Sequence, residues 1–193
     1  MSAARPGKIV LALAVVGLLA GLARVLGQQF DFGFMPKGGK ALLIEALGHE
    51  PKSSELRAII EAHHTETEWR EAMASRTKGL SERELKTLAA YLAINMPVPD
   101  ADGVAAKAPR RDELGAALPR DGRELAWNEC QFCHSLFTSH LTQAREVQAW
   151  LNMFQSPFHR ELKLTEQERR EFATYSAINM PMRIDDVPAD LRF

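Results

Sequence analysis

The chain has 193 residues, of which 46% are hydrophobic and 25% are charged, and its formal net charge is −1. This length allows one domain of ordinary size or two small ones. A nearly neutral chain lacks the basic surface that nucleic-acid binding requires, so we expect no nucleic-acid partner. The apolar fraction is too high for a disordered chain, and the absence of alternating β-branched runs argues against an all-β fold. With only two cysteines, a disulfide-stapled scaffold and a four-thiolate metal site are both excluded.

Residues 1–27 have the pattern of an export signal or a membrane anchor. Arg5 and Lys8 precede an apolar stretch, 9–23, and Arg24 follows it. A span needs about 20 residues, which the stretch reaches if it continues to Gly27. We predict a signal anchor or transmembrane helix, with the rest of the chain translocated because the positive flank stays inside. The expected location is the bacterial inner membrane, single-pass, with the bulk of the chain in the periplasm. The alternative is a soluble periplasmic protein after signal cleavage.

The remaining chain contains a repeated segment. Residues 80–97 recur as residues 164–181, and both copies end in Ala-Ile-Asn-Met-Pro. Each copy opens with a capping box, Ser81 with Glu84 and Thr165 with Glu168, which predicts a helix that ends before the proline. Two small helical domains from one duplication are therefore predicted. The predicted boundaries are a linker at 28–39, a first domain at 40–99, an exposed linker of low order at 100–120, a second domain at 121–183 and a tail at 184–193.

The residues that indicate a chemical function lie in one pentapeptide. Residues 130–134 read Cys-Gln-Phe-Cys-His, the pattern of c-type haem attachment. Cys130 and Cys133 lie one helical turn apart, so each can bond one vinyl group of the same porphyrin while His134 ligates the iron. The alternatives are a redox thiol pair, a structural disulfide, and a zinc site that would need further ligands such as His140 and His159.

The residues around this motif extend the pattern. Gly-x-x-Leu-x-x-x-x-Cys-x-x-Cys-His from 122 to 134, followed by Trp150 and by the helix that contains Tyr175, resembles class I c-type cytochrome domains. The resemblance implies a small all-α fold around one covalently bound haem c, with the first and last helices crossing near the ring. It also implies electron transfer. The expected architecture is all-α, with an N-terminal transmembrane helix and two tandem cytochrome c-like domains, of which only the second binds haem.

The first copy is expected to lack haem. Aligning His49 with His134 places Ala46 and Gly48 near the cysteine positions, so no thiol is available. We interpret 40–99 as a degenerate cytochrome c-like repeat that serves as a docking module. His63 and His64 end an apolar helix, where the helix dipole favours histidine. The alternative is that one of them reaches the haem of the second domain.

The sixth haem ligand has three candidates. The resemblance implies an axial methionine between the haem motif and the last helix, where Met153 lies. His159 lies in the same interval and is an alternative, and Met180 is another. Met180 belongs to the Ile-Asn-Met-Pro segment that both copies share, which favours a packing role. The expected haem-binding residues are thus Cys130, Cys133, His134 and Met153.

These observations together predict a membrane-anchored periplasmic c-type cytochrome. It would transfer single electrons through one covalent haem and would not itself be an enzyme, because no acid–base pair or nucleophile accompanies the motif. Its expected partners are redox proteins or the other subunits of a respiratory or dehydrogenase complex. The alternative function is a haem enzyme or sensor with an open or displaceable sixth ligand.

Overall fold

The computed structural model describes residues 32–48, 51–131 and 133–192. Within these ranges the secondary structure is helical and contains no strand, so the predicted all-α class is confirmed. The predicted anchor at 1–27 lies outside the described residues. Among the described residues, no helix combines the length and the hydropathy needed to cross a membrane.

The helices follow the two repeats along the chain. The first repeat contains α1 (Gly39–Ala46), α2 (Ser53–Ile60), α3 (Glu66–Met73) and α4 (Glu82–Asn95). The connecting segment contains α5 (Ala101–Ala105) and α6 (Arg111–Ala117). The second repeat contains α7 (Gly122–Cys130), a π-helical turn (Phe137–Leu141), α8 (Val147–Met153), α9 (Pro157–Arg160) and α10 (Glu166–Asn179). Two 3₁₀ turns follow, at Ile184–Asp186 and Ala189–Leu191.

Capping boxes begin the last helix of each repeat, as predicted. The Glu84 backbone N–H donates to Ser81 Oγ at 3.3 Å, and the Ser81 N–H donates to the Glu84 carboxylate at 2.9 Å. Thr165 and Glu168 form the same pair of bonds. These bonds satisfy N–H groups that have no partner inside the helix. The predicted ends are also confirmed, because α4 and α10 both stop one residue before the Met-Pro pair.

The first and last helices of each repeat pack against each other at a glycine. A Cβ atom added to Gly39 would lie 2.1 Å from Tyr91 Cβ, and one added to Gly122 would lie 2.1 Å from Tyr175 Cβ. The backbones therefore approach more closely than any side chain would allow. The resemblance implies such a crossing for the second repeat, and the first repeat forms it as well.

The two repeats make reciprocal contacts through α4 and α10. Tyr91 donates its hydroxyl proton to the Pro119 carbonyl at 2.9 Å, and Tyr175 donates to the Pro36 carbonyl at 2.7 Å. Each tyrosine thus bonds the chain that leads into the other repeat.

Two asparagines extend these contacts along the helices. Asn95 Nδ2 donates to Glu171 at 3.0 Å, and Asn179 Nδ2 donates to Thr87 Oγ1 at 3.0 Å. The end of each helix contacts the middle of the other, so α4 and α10 run antiparallel. The residues from Gly33 to Phe193 form one compact unit.

The prediction that residues 100–120 form an exposed connection of low order is wrong. It folds as α5 and α6, and Val104, Leu114 and Leu118 are buried in the apolar core of the first repeat. Lys40 Nζ also donates to the Gly115 carbonyl at 2.9 Å, which fastens α6 to α1. The alanine, proline and charged residues of 100–120 indicate a loop, but alanine is the strongest helix former. The few large apolar residues of this segment suffice to bury one face of its helices.

The other predicted connecting segments also belong to the packed unit in part. Met35, in the predicted linker 28–39, is 2% exposed, and Phe34 packs edge-on against Trp127 with ring centroids 6.1 Å apart. In the predicted tail, Val187 is 1% exposed. The described parts of both segments therefore contribute to packing rather than serving only as connections.

Candidate haem site

The Cys-x-x-Cys-His motif lies at the end of α7. Cys130 is the last residue of the helix, and Cys133 and His134 follow in the turn. The helix starts with a capping box between Asp121 and Glu124 and is fixed against α10 at Gly122. The motif therefore follows a rigid element, which is how a precise site is positioned. Phe132 lies outside the described residues.

A cavity of about 350 Å³ opens beside the motif. Its walls include Cys130, Cys133 and His134, together with the candidate ligands Met153 and His159. Trp150 and Phe172 supply apolar surface, as is usual in a cofactor pocket of this size. The structure thus brings together every predicted haem-binding residue. Met180 does not border this cavity; it is 7% exposed at the end of α10, in keeping with a packing role.

A second cavity of about 390 Å³ shares part of this wall. Cys133 and His134 border both cavities, and Phe34, Trp127 and Leu191 complete the second one. The motif consequently lies between two largely apolar spaces. The first cavity is the one that both cysteines border, and a flat ligand attached at the two cysteines would therefore lie there.

The His134 ring lies near a second imidazole. The ring centroids of His134 and His159 are 6.0 Å apart, and the ring planes are inclined by 80°. The Nδ1 atom of His159 is hydrogen-bonded to Ser156 Oγ at 2.8 Å, which leaves Nε2 available. Sequence reasoning did not identify Ser156, although its position three residues before His159 and next to Pro157 was a readable signal.

The cysteine thiols do not resemble a redox pair. Burial, with smaller effects from the neighbouring Glu129 and Cys133, raises the pKa of the Cys130 thiol to about 12. A redox-active cysteine instead needs a lowered pKa, because the thiolate is the nucleophile. The described residues also contain none of the strands that a thioredoxin-like βαβ unit requires. The thiol-exchange alternative therefore has no support in this environment.

The zinc alternative also lacks a donor set. Across 32–48, 51–131 and 133–192, no group of three or more His, Cys, Asp or Glu side chains is arranged to hold a metal ion. His140, one of the proposed zinc ligands, has its Nε2 hydrogen-bonded to Ser176 Oγ at 2.8 Å. A haem differs from zinc here, because it needs only axial ligands from the protein.

Two buried polar atoms on the cavity wall have no partner. Trp150 Nε1 and His140 Nδ1 are buried without a hydrogen bond, and both residues border the cavity. Burial, with a smaller effect from Arg145, lowers the pKa of His140 to about 3, so its ring is neutral. The Ser176 hydroxyl donates to the Phe172 carbonyl at 2.7 Å, so His140 Nε2 carries the proton and Nδ1 is an acceptor.

These atoms bear on whether the site fits a haem. Unsatisfied buried groups are rare, and they point to a missing ligand or water. The cavity wall combines apolar side chains with polar ones, among them the Trp150 donor and the His140 acceptor that have no partner. A haem combines a large apolar ring with polar carboxyl groups, so the residues present fit this group.

The described part of the first repeat has an apolar interior. Leu56, Ile59 and Ile60 are buried in its apolar core, and no cysteine is present there. His49 lies outside the described residues. His63 is exposed, and the described ring contact of His64 is with Trp69 of its own repeat, at 4.8 Å between centroids. This contact favours a packing role for His64 over an approach to the second repeat.

No protein-family model, no curated protein and no solved structure matches this chain. The interpretation of the site therefore depends on its own residues and their geometry.

Proposed function

We propose that this protein is a c-type cytochrome that transfers single electrons through one haem held by Cys130, Cys133 and His134. The observation that carries the proposal is the cavity beside the Cys-x-x-Cys-His motif, which also contains a second imidazole and two unpartnered polar atoms. When bound, haem supplies a one-electron iron couple. Such a couple needs no catalytic acid, base or nucleophile from the protein.

Each group of site residues has its own role in the proposed function. Cys130 and Cys133 attach the porphyrin, and His134 ligates the iron. Trp150 and Phe172 are fully buried and exclude water from the ring, which keeps the surroundings of the iron apolar and rigid. Cys133 is exposed, and Phe158, which also borders the cavity, is 88% exposed. The edge of the ring would therefore be accessible to a redox partner near these residues.

The imidazole of His159, which lies near that of His134, favours electron transfer over the alternative of a haem enzyme or sensor. Those functions require an open or displaceable sixth position, whereas His159 lies where it could close that position. The wider proposal is a periplasmic cytochrome that is anchored to the inner membrane through residues 1–27. It would serve redox partners or the subunits of a respiratory or dehydrogenase complex.

Covalent haem attachment is the test of this function. We expect the full chain, exported in a host with c-type maturation machinery, to carry haem that survives a denaturing gel and stains for peroxidase activity. The double variant Cys130→Ala, Cys133→Ala should lose this stain completely, because no thioether can form. His63→Ala, at an exposed histidine of the first repeat, is the matched control and should retain it.

Two results would contradict the proposal. One is a wild-type chain that carries no covalent haem in a host that matures other c-type cytochromes. The other is a reduced protein that binds carbon monoxide rapidly, which would favour the enzyme or sensor alternative.

A further inference from the structure

The short helix α9, between α8 and α10, carries His159. We propose that His159, rather than Met153, occupies the sixth position of the haem iron, and that Ser156 positions its imidazole. This inference rests on the proposed function, since it concerns the same haem. It departs from the methionine that the resemblance implies.

The distance between the two imidazoles is the first argument. Imidazole nitrogens bind transition metals at about 2 Å, and each ring centroid lies about 1 Å behind its nitrogen, so two imidazoles on opposite sides of one ion have centroids roughly 6 Å apart. The His134 and His159 centroids are 6.0 Å apart. The pair therefore has the spacing of two axial ligands. Met153 borders the same cavity, but the ring that the structure places at this distance from His134 belongs to His159.

The hydrogen bond to Ser156 is the second argument. Metal-bound histidines almost always use their other ring nitrogen in a hydrogen bond, which fixes the tautomer and the orientation of the ring. His159 Nδ1 is 2.8 Å from Ser156 Oγ. With Nε2 on the iron, Nδ1 carries a proton and donates it to the serine oxygen. The free nitrogen is thus the one that this arrangement requires for ligation.

Hydrogen bonds from Arg169 hold the segment that carries His159 in place. Arg169 of α10 donates to the carbonyls of Arg160 and Leu162, each at 3.1 Å, and to the carbonyl of Leu164 at 3.2 Å. Its guanidinium also lies over the Phe154 ring, 5.0 Å from the centroid. One side chain therefore holds the chain on both sides of His159. A ligand on a helix as short as α9 gains a defined position in this way.

The spectra of the wild-type protein test the ligand directly. We expect a low-spin ferric spectrum without the weak red band that marks a methionine–iron bond. The imidazole planes are inclined by 80°, and nearly perpendicular axial imidazoles give a strongly anisotropic low-spin EPR signal, whereas parallel ones give a rhombic signal. We therefore expect the anisotropic signal. Two imidazoles should also give a lower reduction potential than a His/Met pair.

Variants separate the two candidate ligands. Met153→Leu should keep the low-spin spectrum and the potential, whereas His159→Ala should become high-spin, bind carbon monoxide when reduced, and return to low-spin when imidazole is added. A methionine band in the wild type that Met153→Leu removes would overturn the assignment, and so would a high-spin wild type. If His159→Ala does not fold, the wild-type and Met153→Leu spectra still decide the ligand. A failure of the proposed function is distinguishable, because the wild type would then carry no covalent haem.

The role of Ser156 has its own readout. Loss of its hydrogen bond makes the imidazole a weaker donor, so Ser156→Ala should raise the reduction potential while the protein stays low-spin. Displacement of the sixth ligand by cyanide should also become roughly tenfold faster. Ser156→Thr keeps the hydroxyl and should restore both values. An unchanged potential in Ser156→Ala would show that the serine has no positioning role.

Discussion

Gly122→Ala should lower the free energy of unfolding by about 3 kcal/mol, the upper part of the usual range for overpacked sites. The added Cβ would lie 2.1 Å from Tyr175 Cβ and 3.0 Å from the Glu171 carbonyl oxygen. A Cβ atom is fixed to the backbone, so the contact cannot be relieved by rotating a side chain, and α7 has to move away from α10. Urea denaturation of the full chain measures the loss.

Two further alanine variants make this prediction specific. Gly39→Ala, at the matching crossing of the first repeat, meets Tyr91 Cβ at 2.1 Å and should cost a similar amount. Gly115→Ala, inside α6, meets only Ile44 Cδ1 at 3.6 Å. It should be neutral or stabilising, because alanine favours the helix by about 1 kcal/mol over glycine. Equal effects at the three sites would contradict close helix crossing as the cause.

Glu171→Gln should remove a large part of the pH dependence of stability. Glu171 is 2% exposed, and its carboxylate accepts from the Gly122 N–H and from Asn95 Nδ2, each at 3.0 Å. Burial, and then the charge of Asp121, raise the pKa of Glu171 to about 8 against an ordinary value of 4.5, although the two hydrogen bonds oppose the shift.

The sign of the effect follows from this raised pKa. Below pH 4.5 the carboxyl is protonated in both the folded and the unfolded chain, so its contribution to stability is complete there. As the pH rises towards 8, the unfolded chain releases the proton while the folded chain keeps it, and stability falls by up to about 1.4 kcal/mol per pH unit. We expect Glu171→Gln to flatten this fall by a few kcal/mol between pH 5 and pH 9, at a cost of about 1 kcal/mol for one altered hydrogen bond.

A glutamate on the same helix supplies the control. Glu166 has a side chain that is 91% exposed, so Glu166→Gln should leave the pH profile as it is in the wild type. Urea unfolding at pH 5, 7 and 9 compares the three proteins. If Glu171→Gln keeps the wild-type slope, the carboxyl of Glu171 titrates at its ordinary pKa in the folded protein.

Local signals in the sequence predicted local structure well. The capping pairs at Ser81 and Thr165 and the following prolines located both ends of α4 and α10. These signals succeed because a capping box satisfies the backbone within four residues and a proline restricts the residue before it. The motif at 130–134 likewise predicted which residues border the cavity, since its members are neighbours in the chain.

The prediction of an exposed linker at 100–120 failed because the structure of this segment depends on partners that are distant in the chain. Val104, Leu114 and Leu118 are few and separated by alanine, proline and charge. Their helices are stable because they cover the core of the first repeat, and tertiary packing of this kind overrides local composition. Nothing within 100–120 indicates that Lys40 will donate to the Gly115 carbonyl.

The position of the His159 ring near His134 depends on contacts between residues that are distant in the chain. The expectation of Met153 rests on the family resemblance, and helical spacing alone does not show that the His159 ring lies 6.0 Å from the His134 ring. Arg169 holds the chain after α8 through bonds to carbonyls that lie five to fifteen residues upstream. Hydrogen bonds from one side chain to irregularly spaced carbonyl groups produce no periodic pattern in the sequence, so they cannot be predicted from it.

The reciprocal bonds of Tyr91 and Tyr175 give the chain the character of a tethered dimer. The contact is isologous in form, as in a homodimer with two-fold symmetry, but the partners are two parts of one polypeptide, so association has the high effective concentration of an intramolecular event. Such an arrangement separates two structural roles. One half can fill its interior with Leu56, Ile59 and Ile60 and act as a permanent scaffold, while the other keeps a cavity beside the Cys-x-x-Cys-His motif.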